Sequence, residues 1–124
     1  MTDQFYVDGE VNVPEDKGDV GRIVYSQGVL RVEDMKQSGN YVRVSGRIQY
    51  QILYTKDGEE DGMGVIQGKM PFEEMVYAEE EPKGSVWMKE SSTDLNVTIV
   101  HARKLRIRAM AELELLLETS DLAI

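Results

Sequence analysis

Apolar and polar side chains alternate along much of this chain, and the segment Tyr41 to Tyr54, YVRVSGRIQYQILY, shows the pattern clearly. Val42, Val44, Ile48, Tyr50, Ile52 and Tyr54 share one parity, with Gly46 among them. Arg43, Ser45, Arg47, Gln49 and Gln51 hold the other, where Leu53 is the apolar exception. A period of two predicts a strand with one face in a core and the other in water, because successive side chains leave a pleated strand on opposite sides. Helical spacing would mix the two sets. At about 3.3 Å per residue the run would span roughly 46 Å, well beyond a usual strand, so a bend or bulge is expected and Gly46 is the natural place for it.

Runs of the same kind flank this segment. Phe5, Val7, Val11 and Val13 fall on odd positions and predict an edge strand that ends at Pro14, which has no N–H for a ladder. The polar stretch from Pro14 to Gly21 reads as a surface connection. Val20, Ile23 and Val24 fit helical spacing, whereas Ile23, Tyr25 and Val29 fit a strand, so residues 19–27 admit one short helical turn. Val29 to Met35 reads as a strand and QSGN, Gln37 to Asn40, as a turn. Asp57-Gly58 predicts a hairpin tip, since glycine accepts a positive φ and aspartate tolerates it.

Beyond that tip, Met63 to Gly68 is expected to be a strand, with pairing interrupted at Pro71, Phe72 capping one end of the core and Met75 to Tyr77 resuming extended chain. Ala78 to Gly84, AEEEPKG, reads as a loop whose glutamates and Pro82 stand in water, and Ser85 to Lys89 as a short strand. Val97, Ile99, Leu105, Ile107, Ala109, Ala111, Leu113, Leu115 and Leu117 share odd parity, but His101 and Arg103 break the series. A straight strand of that length would reach about 66 Å, so two strands or one strongly bent strand are expected. The terminal ETSDLAI has no pattern and is expected to fray unless the sequence normally continues into a further domain. The fold class is therefore all-β: an antiparallel β-sandwich or partly open β-barrel, with at most one short helical turn near residues 19–27, formed as one domain over residues 1–124.

Composition narrows the function. With 124 residues, 41% of them hydrophobic and 30% charged, one core is enough and extensive disorder is not expected. The absence of cysteine removes disulfides, thiolate chemistry and cysteine-ligated zinc. No apolar run approaches a membrane span, and the acidic start MTDQFYVDGE lacks the basic region and oily core of a secretory signal, so a cytosolic location is expected. A net charge of -9 makes nucleic acid a poor partner. Arg103, Lys104, Arg106 and Arg108 nevertheless bring four of fourteen cations together. The simpler reading is a solvent face paired with Glu112, Glu114 or acids on a neighbouring strand; the other is a docking patch for an acidic protein surface.

Candidate chemistry is sparse. Asp57, Glu59, Asp61 and Gly62 imitate the start of a calcium loop, but the twelfth position is Gly68 where a bidentate glutamate is required, and the flanks read as strands. Gly58, Gly62, Gly64 and Gly68 lack the GK-Ser/Thr and the strand-to-helix step of a phosphate cradle. His101 is the single histidine, which excludes paired imidazole ligands and more simply marks a strand bend. Glu73, Glu74, Glu79, Glu80 and Glu81 could place two carboxylates across a cleft, but loop acids are common in so negative a chain. Trp87, Tyr77 and the glutamine-rich odd face of Tyr41 to Tyr54 are the better candidates for a protein contact, weighed against simple packing as a second core face, which is favoured.

Taken in order, VRVSGRIQYQILYTKDGEE, GKMPFEEMVYAEE and LNVTIVHARKLRIRAMAELEL resemble the SPOCS domain family, found in spore-coat morphogenetic proteins such as SipL. The matching positions are Val42, Val44, Gly46, Ile48, Ile52, Leu53 and Tyr54, then Pro71 and Phe72, then Arg103 through Leu105, Ile107 and Leu113. Gly46, Tyr54, Pro71 and Phe72 are the fold-defining members of that set. FYVDGEVNVPEDKGDVGRIV also looks like the segment that precedes these strands in the family. The resemblance implies no catalytic residues and no cofactor. It implies instead a structural or protein-interaction module of endospore coat or envelope assembly, acting in the mother-cell cytoplasm at the forespore surface. Partners implied are spore-coat proteins, a SpoIVA-like coat ATPase among them, or further copies of the chain, with no nucleic acid and no membrane insertion. SpoIVA binding is associated with a LysM module in SipL-like proteins, and no LysM follows here. The alternative is a carbohydrate- or envelope-binding β domain with Trp87 and Tyr77 stacking on sugar rings.

Overall fold

The alternating segments become six antiparallel strands in the computed structural model, which describes residues 1–58, 62–79 and 81–117. They are β1 (Thr2–Asn12), β2 (Val20–Ser38), β3 (Tyr41–Lys56), β4 (Met63–Tyr77), β5 (Val86–His101) and β6 (Lys104–Leu117). Two three-stranded sheets form, in the orders β1-β6-β5 and β2-β3-β4, so the chain crosses between sheets after β1 and again after β4. No helix occurs among the described residues, and the sheets do not close into a barrel.

The two central strands supply the deepest part of the core. Val42, Val44, Ile48, Ile52 and Tyr54 of β3 face Leu105, Ile107, Ala109, Ala111, Leu113 and Leu115 of β6, all essentially inaccessible. Full burial of one such aliphatic side chain contributes about 1.5–3 kcal/mol, so these two strands dominate the driving force for folding. At the margins, β1 lies near β4 and β2 near β5. Phe5 meets Phe72 at one margin with ring centroids 5.5 Å apart. At the other, Gly28 sits so close to β5 that a Cβ there would stand 3.0 Å from Leu95.

Several sequence expectations are met. β1 is an edge strand, Gly39 and Gly58 adopt the positive φ values of 58° and 81° at their turns, and the long C-terminal series divides into two strands at Ala102-Arg103. His101 marks that break by accepting the Arg103 backbone N–H at its Nδ1, 3.1 Å away. Of residues 19–27, where a helical turn is open from sequence, residues 20–27 are strand, and register shifts at Val20/Arg22 and Ile23/Tyr25 account for their mixed periodicity.

Other expectations are corrected. The bulge predicted at Gly46 lies on the neighbouring strand: β2 shifts register between Val32 and Asp34, opposite Gly46 and Ser45, while β3 stays in step with β4. Pro71 does not interrupt pairing, because β4 is an edge strand and every second N–H of an edge points away from the ladder. The strand expected to be confined to Ser85–Lys89 runs from Val86 to His101. Pro82 is buried, not solvated, and its carbonyl accepts the Gln37 side-chain amide. The tail ETSDLAI, Glu59, Asp61 and Glu80 lie outside the described residues.

The glycines of β4 have a packing role. Gly64 stands opposite Tyr54 and Gly68 opposite Tyr50, and a Cβ would fall 2.4 Å from the Tyr54 ring at the first position and 2.5 Å from the Tyr50 ring at the second. The bare backbone is a seat for each ring. The Tyr54 hydroxyl is buried with no hydrogen-bond partner among the described residues. An unpaired buried hydroxyl is unfavourable, so Tyr54→Phe is expected to leave stability unchanged or raise it by about 1 kcal/mol, read from the midpoint of urea unfolding. A loss above about 1 kcal/mol would show that the hydroxyl has a partner after all.

Candidate functional site

With the core enclosed between the sheets, the outward positions of the two sheets carry the candidate residues. Trp87 of β5 is 53% exposed and stands beside Leu116 of β6, itself 47% exposed, on the outer face of the β1-β6-β5 sheet. Tyr77 of β4 is 56% exposed and packs on Tyr41, ring centroids 5.4 Å apart, on the outer face of the other sheet. The second core face favoured for these aromatics is therefore not formed: each sheet is covered on one side only. The glutamine-rich face of β3 is likewise outward, and Gln51 joins Gln27 and Gln67 in a row across the three strands. Trp87 and Tyr77 occupy the same end of the sandwich but project from opposite faces.

The cation cluster near the β5–β6 turn divides into two kinds of residue. Arg103 is structural. Its Nη1 donates to the Lys17 carbonyl at 2.8 Å and the Asp19 carboxylate at 3.3 Å, and its Nη2 to the carbonyls of Val13 at 3.2 Å and Pro14 at 2.8 Å. Backbone bonds from Val13 to the Arg103 carbonyl and from Val20 to the Ala102 carbonyl join the same two segments. Lys104 and Arg106 meet Glu10 at 3.0 Å and 3.4 Å, and Arg108 meets Asp8 at 3.7 Å while lying 4.3 Å from the centre of the Tyr6 ring. These acids belong to β1, the adjacent strand. Glu10 is held below its usual value by the hydrogen bond and charge of Lys104, with Arg106 adding to both. Glu114 pairs instead with Lys89, at 3.4 Å.

A carboxyl pair that the sequence did not disclose lies at the β1/β4 margin. Asp3 and Glu74 occupy inward-facing positions of their edge strands, beside Phe5 and Phe72 and near enough to influence each other, and Asp3 Oδ2 is buried with no hydrogen-bond partner among the described residues. Burial pushes both carboxyls up from their usual values; the Asp3 charge adds to the rise at Glu74, and the Met75 N–H opposes it. Glu73, by contrast, points outward to Arg43 at 4.0 Å, so these acids are strand residues and not the loop acids expected.

A raised carboxyl binds its proton more tightly in the folded chain than in the unfolded one. Its contribution to stability is thus fully present below the ordinary carboxyl value near 4 and is lost as pH rises through the raised value. Glu74→Gln is expected to raise the melting temperature at pH 7 and to leave it unchanged at about pH 3.5. Equal effects at both pH values would rule out the carboxyl pair as the cause.

Among the described residues no group of three or more His, Cys, Asp or Glu is placed to hold a metal ion, and no helix is long and apolar enough to cross a membrane. An antiparallel two-sheet β domain, carrying its polar and aromatic candidates on open outer faces, is the class these features define. The SipL SPOCS-domain family matches residues 19–102, about two thirds of the chain, and the protein belongs to that family. The match spans β2 to β5. No curated protein and no solved structure matches the chain.

Proposed function

We propose that this domain is a non-enzymatic interaction module of endospore coat or envelope assembly, working in the mother-cell cytoplasm at the forespore surface. The observation that carries this reading is the set of large exposed side chains at one end of the sandwich: Trp87 and Leu116 on one outer face, Tyr41, Tyr77 and Met75 on the other. Exposed aromatics of this kind are enriched where proteins meet, because they bury much area at little conformational cost. The family match supports the sporulation context. Coat proteins, a SpoIVA-like coat ATPase among them, are the proposed partners.

The faces serve this role better than the edges. β2 carries three register shifts, β5 two, β4 carries Pro71 and the inward Glu74, and β1 the inward Asp3. Bulges, proline and inward charges each discourage pairing with another strand. Sugar stacking is less favoured, because Trp87 and Tyr77 point in opposite directions and cannot sandwich or line one ring system. Cross-linking in sporulating cells, with the domain fused to a fluorescent protein, tests the reading. The expected result is a ring of signal around the forespore and a cross-linked coat protein that is lost with Trp87→Ala or Tyr77→Ala. Glycan retention with no protein partner would overturn it.

A further inference from the structure

The chain carries a net charge of -9, yet one of its faces is cationic. Among the described residues, the outward positions of β2, β3 and β4 hold Arg22, Arg31, Lys36, Arg43, Arg47 and Lys69 against Asp34, Glu73 and, at the β2 bulge, the exposed Glu33. Asp34 is already engaged by Lys36 at 3.9 Å and Glu73 by Arg43 at 4.0 Å. At the centre of the face Arg31 and Arg47 stand directly opposite each other across the ladder. Arg31 donates from Nε to the Gln49 side chain at 3.3 Å, the Arg47 Nε is buried with no hydrogen-bond partner, and neither has an ion pair among the described residues. Like charges directly opposite in a sheet repel, so this row is unfavourable in the isolated domain.

One end of the outer face of the other sheet shows the inverse. Near Trp87, Glu90 stands opposite Glu114, with Glu112 and Asp94 on the next outward rows, and Lys89 reaches Glu114 alone. Lys104, Arg106 and Arg108 lie on the same face toward the β5–β6 turn, where Glu10 and Asp8 of β1 pair with them. One molecule thus presents an excess of positive charge on one face and an excess of negative charge at one end of the opposite face.

We propose that the domain assembles head to tail with copies of itself, the Arg31–Arg47 face of one copy seated on the Glu90–Glu114 face of the next. The proposal rests on reading the domain as an interaction module and names the surface and the occupant. Contact between these faces relieves both repulsive rows at once, and Trp87 and Leu116, adjacent to the acidic row, add apolar area at the rim. Three strands about 4.8 Å apart and roughly 50 Å long offer on the order of 700 Å² per face, of which the acidic end supplies about half, the size of a weak and reversible contact. Because the two faces lie on opposite sides of the sandwich, each addition leaves one face of each kind free and the chain of copies does not close. The overall negative charge opposes approach, so association is expected to be strongest where salt shortens the reach of that charge to about 10 Å, near 0.1 M, and to weaken near 1 M as the contacts themselves are screened.

Sedimentation and light scattering on the purified chain test this. The expected result is a weight-average mass at least twice the monomer's at high micromolar concentration in about 0.1 M salt, returning toward the monomer's in about 1 M salt. The pair Arg31→Glu/Arg47→Glu and the pair Glu90→Lys/Glu114→Lys should each be monomeric alone, with unchanged far-ultraviolet circular dichroism. Mixed together they should associate again, because the retained native faces pair and the two charge-reversed faces are also complementary to each other. That restoration also shows that both variants are folded. A monomer under all these salt conditions, or no association on mixing, would overturn the proposal while leaving the coat-module reading to the cellular cross-linking experiment.

Discussion

Gly46→Ala is expected to lower stability by about 3 kcal/mol or more, the largest effect of any single methyl group added to this fold. The reason is space, not backbone freedom: Gly46 is not among the glycines with positive φ. A Cβ at Gly46 would stand 1.9 Å from the Arg31 carbonyl oxygen and 3.0 Å from the Val32 Cα, both of them backbone atoms of the bulged β2. Backbone held in a ladder cannot turn aside as a side chain can, so β2 must lose its pairing beside the bulge or the strands must separate there. For a chain of this size the loss corresponds to a fall in melting temperature of about 10 °C. Gly9→Ala is the control. Its Cβ would meet the Met70 sulfur at 2.5 Å, but methionine is flexible and can move, so a loss below about 1 kcal/mol is expected. If the two variants melt together, the close approach of β2 to Gly46 does not matter to the fold.

The second largest effect is expected at Arg103, where alanine should remove about 2 kcal/mol. Three carbonyls and one carboxylate of residues 13–19 lose their donor together, and the connection between the sheets is no longer fastened to the β5–β6 turn. Arg103→Lys should recover little, since an ammonium cannot reach several acceptors in the plane of a guanidinium. Arg106→Ala and Arg108→Ala break exposed ion pairs with β1 and should each cost under about 1 kcal/mol. Urea unfolding of the four variants separates these roles. Equal losses at the three arginines would return Arg103 to the solvent face with the others.

Parity alone predicted which side of β3 and β6 would be buried, because a one-residue slip would place every apolar side chain in water. It did not reveal partners far apart in sequence. Asp3 and Glu74 meet only because β1 and β4 are neighbours at one margin, and Arg103 meets residues 13–19 only because the β5–β6 turn lies beside the first crossover. β5 is legible in the sequence only at its two ends, for a different reason. Its inward positions between Lys89 and Val97 include Ser91 and Thr93, opposite Leu113 and Ala111, so the alternation there is one of burial and not of hydrophobicity. Tryptophan is usually well buried, which favours a second core face for Trp87, but that burial requires a further layer which this fold does not have. The cationic face leaves no run in the sequence, since its members are spread over β2, β3 and β4, whereas Arg103 to Arg108 are close in sequence and already neutralised in space.

The strand order also bears on how the chain matures during synthesis. β2, β3 and β4 are consecutive and can zip as two hairpins as soon as they emerge, but β1, which emerges before them, finds its neighbour β6 only after residue 104 has appeared. Until then β1 and the apolar inner face of β3 wait uncovered. A nascent chain stalled within β5 would therefore hold a half-built sandwich, the stage at which a holdase would be of most use.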